Sequence, residues 1–70
     1  MPHYVVNRRA DEHGDHQVHD RASIWSCLPD EADRRELGSH DGGASSVRLA
    51  TAFYGRANGC ERCLISQRVG

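Results

Sequence analysis

Short alternations of apolar and polar residues near the start of the chain predict two β-strands. Residues 4–7, Tyr-Val-Val-Asn, are rich in β-branched and aromatic side chains, and residues 16–19, His-Gln-Val-His, alternate polar with apolar side chains. The segment between them is polar and contains Gly14, a turn-forming residue. The pattern therefore predicts a loose N-terminal β-hairpin.

Helical signals dominate the second half of the chain. Residues 44–57 carry apolar side chains at spacings of three and four, which predicts the main helix. Asn58-Gly59 then supplies a stop signal, because glycine adopts the left-handed C-terminal conformation at little cost. Residues 30–38 carry acids first and arginines last, which predicts a short helix or helical turn ending at Gly38. Residues 64–69 are expected to form a strand or a final helical turn.

These elements predict one small α+β domain over residues 1–70. An N-terminal β-hairpin, with a third short strand allowed, packs on one main helix and one short helix. A chain of 70 residues buries only about 60% of its unfolded surface. A core of that size seldom supplies more than about 3–5 kcal/mol of stability. A stabilising metal or a partner is therefore expected.

Charge and targeting signals narrow the class of protein. The net charge is −1, from ten acidic and nine basic residues, and every basic residue is an arginine. Such a balance argues against a dedicated nucleic-acid or anionic-membrane surface and permits self-association or a protein partner. The N-terminus has no apolar signal-peptide core, and no apolar run approaches bilayer length. A cytoplasmic location with reduced thiols is expected.

The cysteines carry the most specific chemistry in the sequence. Two of the three form a C-x-x-C motif directly after Asn58-Gly59, a local pattern typical of zinc knuckles and of redox dithiols. Structural zinc usually takes four protein ligands, which leaves no open position for catalysis. One C-x-x-C gives half of such a site, so the third cysteine and a histidine are needed. The predicted zinc ligands are Cys27, Cys60, Cys63 and His19.

Alternatives to this metal site stay open. His16 or His40 can take the histidine position. Cys27 can instead be a small core residue, with Cys60 and Cys63 as semi-buried thiols. The same two cysteines can form a thiol redox pair, but thioredoxin-like motifs precede a helix whose N-terminus lowers the pKa of the first thiol. Here the motif follows the predicted helix.

Three histidines recur at every third residue of the hairpin, which suggests a metal cluster. Successive strand residues point to opposite faces, so His16 and Val18 are expected on one face and Gln17 and His19 on the other. With His13 in the turn region, the three rings cannot share one site without a bend. The spacing favours a solvated polar hairpin in which His19 is the main candidate ligand.

Other candidate chemistry is weak. No nucleophile–base signature is recognisable, so an enzyme is not indicated. Arg8-Arg9 and Arg34-Arg35 are candidate phosphate contacts, although acidic residues neighbour both pairs. Weak nucleic-acid or regulatory binding through these arginines remains a minor hypothesis.

Several short motifs follow one another along the chain, of the forms Y-V-x-N, G-D-H-x-V-H, L-P, L-G and N-G-C-x-x-C. Their order resembles a group of small uncharacterised bacterial proteins and, in layout, is similar to Ada-like zinc modules. Gly43 stands where related chains have a cysteine, and Cys27 directly precedes Leu28 instead of lying earlier. The resemblance implies no enzyme activity. The sequence thus predicts a binding or interaction module with structural zinc as its candidate cofactor.

Overall fold

A computed structural model of the chain describes residues 2–22, 28–60 and 64. In this part of the chain, four strands form a sheet in the order β3-β1-β2-β4, and a helix packs on one face of it. The predicted small α+β fold with an N-terminal hairpin is confirmed. The elements are β1 (His3–Asn7), β2 (His16–Asp20), a 3-10 turn (Glu31–Asp33), β3 (Arg34–Ser39), α1 (Gly43–Tyr54) and β4 (Ala57–Gly59).

The hairpin of β1 and β2 forms as the alternation predicts. The two strands are antiparallel, with Val5 opposite His19 and Val6 opposite Val18. Gly14 has a φ of 84° in the connection, a left-handed conformation that glycine adopts without steric cost. Val6 and Val18 face the helix, which places Val5 and His19 on the opposite face.

The segment after the 3-10 turn is a strand, so the prediction of a short helix over residues 30–38 is wrong beyond Asp33. β3 pairs antiparallel with β1, and the pairing contains an irregularity between Tyr4 and Val5. Gly38 is not a helix cap: it lies within β3, opposite Tyr4, with a φ of 79°. The charged residues of this segment suit an exposed helix or an edge strand equally well. Pairing with β1 decides between them because it buries Leu37, which is 6% exposed.

The main helix ends earlier than predicted. Gly55 has a φ of 81°, and its backbone N–H donates to the Thr51 carbonyl at 2.7 Å, which is a left-handed C-terminal cap. The predicted stop at Asn58-Gly59 is wrong, because those two residues lie in β4, parallel to β2. In the described residues, no helix is long and apolar enough to cross a membrane.

The sheet buries side chains on both of its faces. On the face away from the helix, Val5 and His19 are 0% and 1% exposed, and Asn58 is 8% exposed. Leu64, the first residue of the predicted tail, belongs to the core on the helix side; residues 65–69 and 23–27 lie outside the described part. The buried core on the helix side consists of Tyr4, Val6, Val18, Leu37, Ala50 and Leu64.

Candidate metal centre and arginine cleft

His19 is buried on the face of the sheet opposite α1 and is oriented by Asn7. Its Nε2 lies 2.9 Å from the Asn7 side-chain oxygen. An amide oxygen only accepts hydrogen bonds, so the ring proton is on Nε2 and the lone pair is on Nδ1. Nδ1 is therefore the atom that accepts a hydrogen bond or binds a metal ion. Metal-binding histidines are commonly oriented this way, with the other ring nitrogen donating to an oxygen.

Burial also sets the protonation state of this ring. It lowers the pKa of His19 from 6.5 to about 4, because a charged imidazolium loses its hydration in the interior. The ring is consequently neutral near pH 7, which is the form that ligates metal ions.

Acid is expected to destabilise the protein through His19. The unfolded chain takes up a proton near pH 6.5, whereas the folded chain does so near pH 4. The stability due to the neutral ring is therefore fully present above pH 6.5 and is lost as the pH falls toward 4. The ring alone is expected to contribute a loss of about 3 kcal/mol in the free energy of unfolding, to which acid-driven release of the predicted zinc ion would add. Urea unfolding at neutral pH and near pH 4 measures it.

A matched histidine variant separates this effect from general acid sensitivity. His13 is a suitable control because its side chain is 68% exposed. His13→Gln leaves His19 unchanged and should keep the full loss of stability. Equal stability of the parent protein at the two pH values would contradict the assignment to His19.

Cys60 lies at the end of the strand beside β2. It directly follows Gly59, which is paired with Val18, and its backbone N–H donates to the Val18 carbonyl at 2.8 Å. Cys60 is 2% exposed. Since His19 directly follows Val18, the fold brings these two predicted ligands to neighbouring ends of adjacent strands.

The other two predicted ligands, Cys27 and Cys63, lie outside the described residues. Within residues 2–22, 28–60 and 64, no three His, Cys, Asp or Glu side chains form a potential metal cluster. The four-ligand site therefore stays a prediction, of which the structure describes the histidine and one cysteine.

The alternative histidines have other contacts. His16 is stacked on Tyr54 on the helix side, with ring centroids 4.1 Å apart, so the predicted separation of His16 and His19 onto opposite faces is confirmed. Both ring nitrogens of His40 are 2.8 Å from hydrogen-bond partners, Ser45 Oγ and the Leu37 carbonyl. These bonds occupy the atoms with which His40 would bind a metal.

Asn7 is a site residue that the sequence analysis missed. Its side-chain oxygen accepts from His19, and its backbone oxygen accepts from Nδ1 of His16 at 2.9 Å. The available signal was a polar residue that ends a short apolar strand, but many strands end in this way. Only the pairing of β1 with β2 gives the residue its role.

A second feature of the sheet face opposite α1 is an open cleft of about 580 Å³. It contains one member of each arginine pair seen in the sequence. Arg8 and Arg34 meet there, and the Arg8 Nε–H donates to the Arg34 carbonyl at 3.0 Å. The remaining members lie elsewhere: Arg9 is near Asp33, and Arg35 covers the ring of Phe53. The cleft is lined by Arg8, Arg21, Glu31, Arg34 and Glu36.

The charges in this cleft are unevenly paired. Arg21 lies 3.2 Å from Glu36, and both side chains are about half exposed. Arg34, only 16% exposed, is 3.7 Å from Glu31, which is 90% exposed. Among the described residues, three arginines and two glutamates line the cleft, which gives a net charge of +1. Arg21 had no distinguishing signal in the sequence, since it follows β2 as an isolated basic residue.

Comparisons with protein-family models, with curated proteins and with solved structures find no match to this chain.

Proposed function

We propose that this chain is a small binding module whose sheet is stabilised by a structural zinc ion. The proposed ligands are Cys27, Cys60, Cys63 and His19. The observation that carries the proposal is that two of these residues, His19 and Cys60, are buried at neighbouring ends of β2 and β4. Asn7 supports it by directing the lone pair of the His19 ring to Nδ1.

A structural role for zinc suits both the ligands and the size of the chain. Three thiolates and one imidazole complete a tetrahedral site and leave no position for a catalytic water. The zinc would hold the C-terminal ends of β2 and β4 together. This connection would matter because β4 has only three residues. The proposed binding surface is the charged cleft on the same face of the sheet.

Thiol redox chemistry at Cys60 and Cys63 is the less favoured function. An attacking thiolate must reach a disulfide in another molecule. Cys60 is 2% exposed, which hinders such an attack and suits a metal ligand better.

Native mass spectrometry tests the proposal directly. The parent protein is expected to carry one zinc ion per chain, and Cys60→Ser should lose it. His13→Gln is the control and should retain the metal. Asn7→Ala keeps all four ligands but removes the acceptor for His19, so zinc affinity should fall about 10- to 100-fold in a competitive chelator titration. A parent protein purified in the presence of zinc that carries no metal would contradict the proposal.

A further inference from the structure

The arginine cleft presents hydrogen-bond donors toward solvent from a fixed framework. The Arg8 Nε–H bond to the Arg34 carbonyl holds the plane of the Arg8 guanidinium; within the described part of the chain, both of its terminal Nη groups are left for other partners. Among the described residues, no carboxylate forms an ion pair with Arg8, whereas Arg21 and Arg34 each have one. Arg8 is thus the available cation at one end of the cleft.

Arg34 supplies a second, more deeply placed cation at the same end. Its side chain is only 16% exposed, so water screens its charge less than that of a surface arginine. Its acidic neighbour Glu31 is almost fully exposed and stands 3.7 Å away. A pair of this kind contributes little free energy, so an oxyanion with better geometry can displace the glutamate.

The opposite end of the cleft is formed by an ion pair that offers both donors and acceptors. Arg21 and Glu36 are 3.2 Å apart and half exposed. Glu36 therefore supplies acceptor oxygens, and Arg21 supplies donors. A ligand with an anionic group at the Arg8 end and hydroxyl groups toward Glu36 matches both ends. A long polyanion does not, because its next charges would meet the two glutamates.

Resting on the binding-module role above, we propose that this cleft binds a small phosphate monoester that carries hydroxyl groups. Arg8 and Arg34 hold the phosphate through charge-assisted hydrogen bonds, the geometry in which guanidinium groups are strongest. Glu36 accepts from a ligand hydroxyl. The cleft volume of about 580 Å³ lies in the range of small-molecule sites, roughly 300–1,000 Å³.

Ribose 5-phosphate is a suitable probe, with inorganic phosphate and ribose as its two halves. In a titration followed by amide NMR, ribose 5-phosphate should give saturable shifts near residues 8, 21 and 34. Inorganic phosphate should shift the first and last of these, and ribose alone should shift none. Lack of saturable shifts with ribose 5-phosphate at millimolar concentration would overturn the proposal, as would equal binding of ribose.

Variants assign the binding to the cleft. Arg8→Gln is the main variant because Arg8 is exposed, and it should weaken ribose 5-phosphate about 10- to 100-fold, the effect of one lost charge-assisted contact. Glu31→Gln should strengthen binding about two- to fivefold by removing a competitor. Arg48→Gln, an exposed change on α1, is the matched control and should have no effect. Unchanged affinity of Arg8→Gln would reject the site.

Two further measurements distinguish a small phosphate ligand from a nucleic-acid ligand, and the cleft proposal from the zinc proposal. Tighter binding of a short single-stranded oligonucleotide than of ribose 5-phosphate, lost in Arg8→Gln, would replace the small ligand with a nucleic acid. The zinc content of each variant is measured in parallel. Zinc-loaded protein without phosphate binding rejects the cleft and leaves the metal proposal standing, whereas phosphate binding by metal-free protein supports the cleft and rejects the metal.

Discussion

Removal of the proposed zinc ion is expected to unfold this protein. A structural zinc site contributes apparent binding energy of about 10–16 kcal/mol at neutral pH. Packing in a domain of this size supplies about 3–5 kcal/mol, and among the described residues six form the buried core on the helix side. The far-ultraviolet circular dichroism of the sheet and helix should therefore be lost on addition of EDTA and should return when zinc is restored.

Zinc-saturated EDTA is the control that attributes the unfolding to loss of the metal. EDTA saturated with zinc beforehand has the same ionic composition but no chelating capacity, so it should leave the spectrum and the thermal midpoint unchanged. A protein that retains its spectrum and its midpoint in free EDTA, with metal loss verified by mass spectrometry, would contradict a structural role for zinc.

Truncation of Leu37 is expected to cost about 2–5 kcal/mol, the range for buried leucine-to-alanine changes. Leu37 is the buried residue of β3 and belongs to the core with Tyr4 and Val6. Because β3 otherwise presents mainly exposed polar side chains, this one residue attaches the strand to the core. Urea unfolding of zinc-loaded Leu37→Ala measures the loss.

Leu49→Ala is the control for this change, because Leu49 is the same residue type and is only partly buried beside the same core. Its loss of stability should be clearly smaller than that of Leu37→Ala. Equal losses, or a loss at Leu37 below about 1 kcal/mol, would mean that β3 is not attached to the core through this side chain.

The predictable parts of the fold are those in which a local pattern and the final pairing agree. The alternation of residues in β1 and β2 places Val6 and Val18 on the same face of the paired strands, so the hairpin could be predicted. β3 could not, because one buried leucine among charged residues fits a helix or a strand. The helix ends at Gly55 and not at the predicted Asn58-Gly59, because residues 57–59 pair with β2 instead.

In the candidate site, too, the residues that could be predicted are those placed by local pattern. The placement of His19 opposite the helix follows from the strand period, and Cys60 could be singled out from its motif. The role of Asn7 depends on which strand lies beside β1. The cleft depends on three arginines from separate segments, brought together by a sheet order that local sequence does not specify. Spatial sites of this kind are the part that sequence patterns leave undetermined.

Asn7 also has a consequence for how the chain selects its native pairing during folding. A displacement of β1 against β2 by two residues keeps every side chain on its original face, so apolar patterning alone opposes it weakly. The two oxygens of Asn7 accept from His16 and His19 of β2. A displaced pairing breaks both bonds at once and leaves the imidazole of His19 without its acceptor. Asn7 thus raises the free energy of a hairpin displaced by two residues relative to that of the native hairpin.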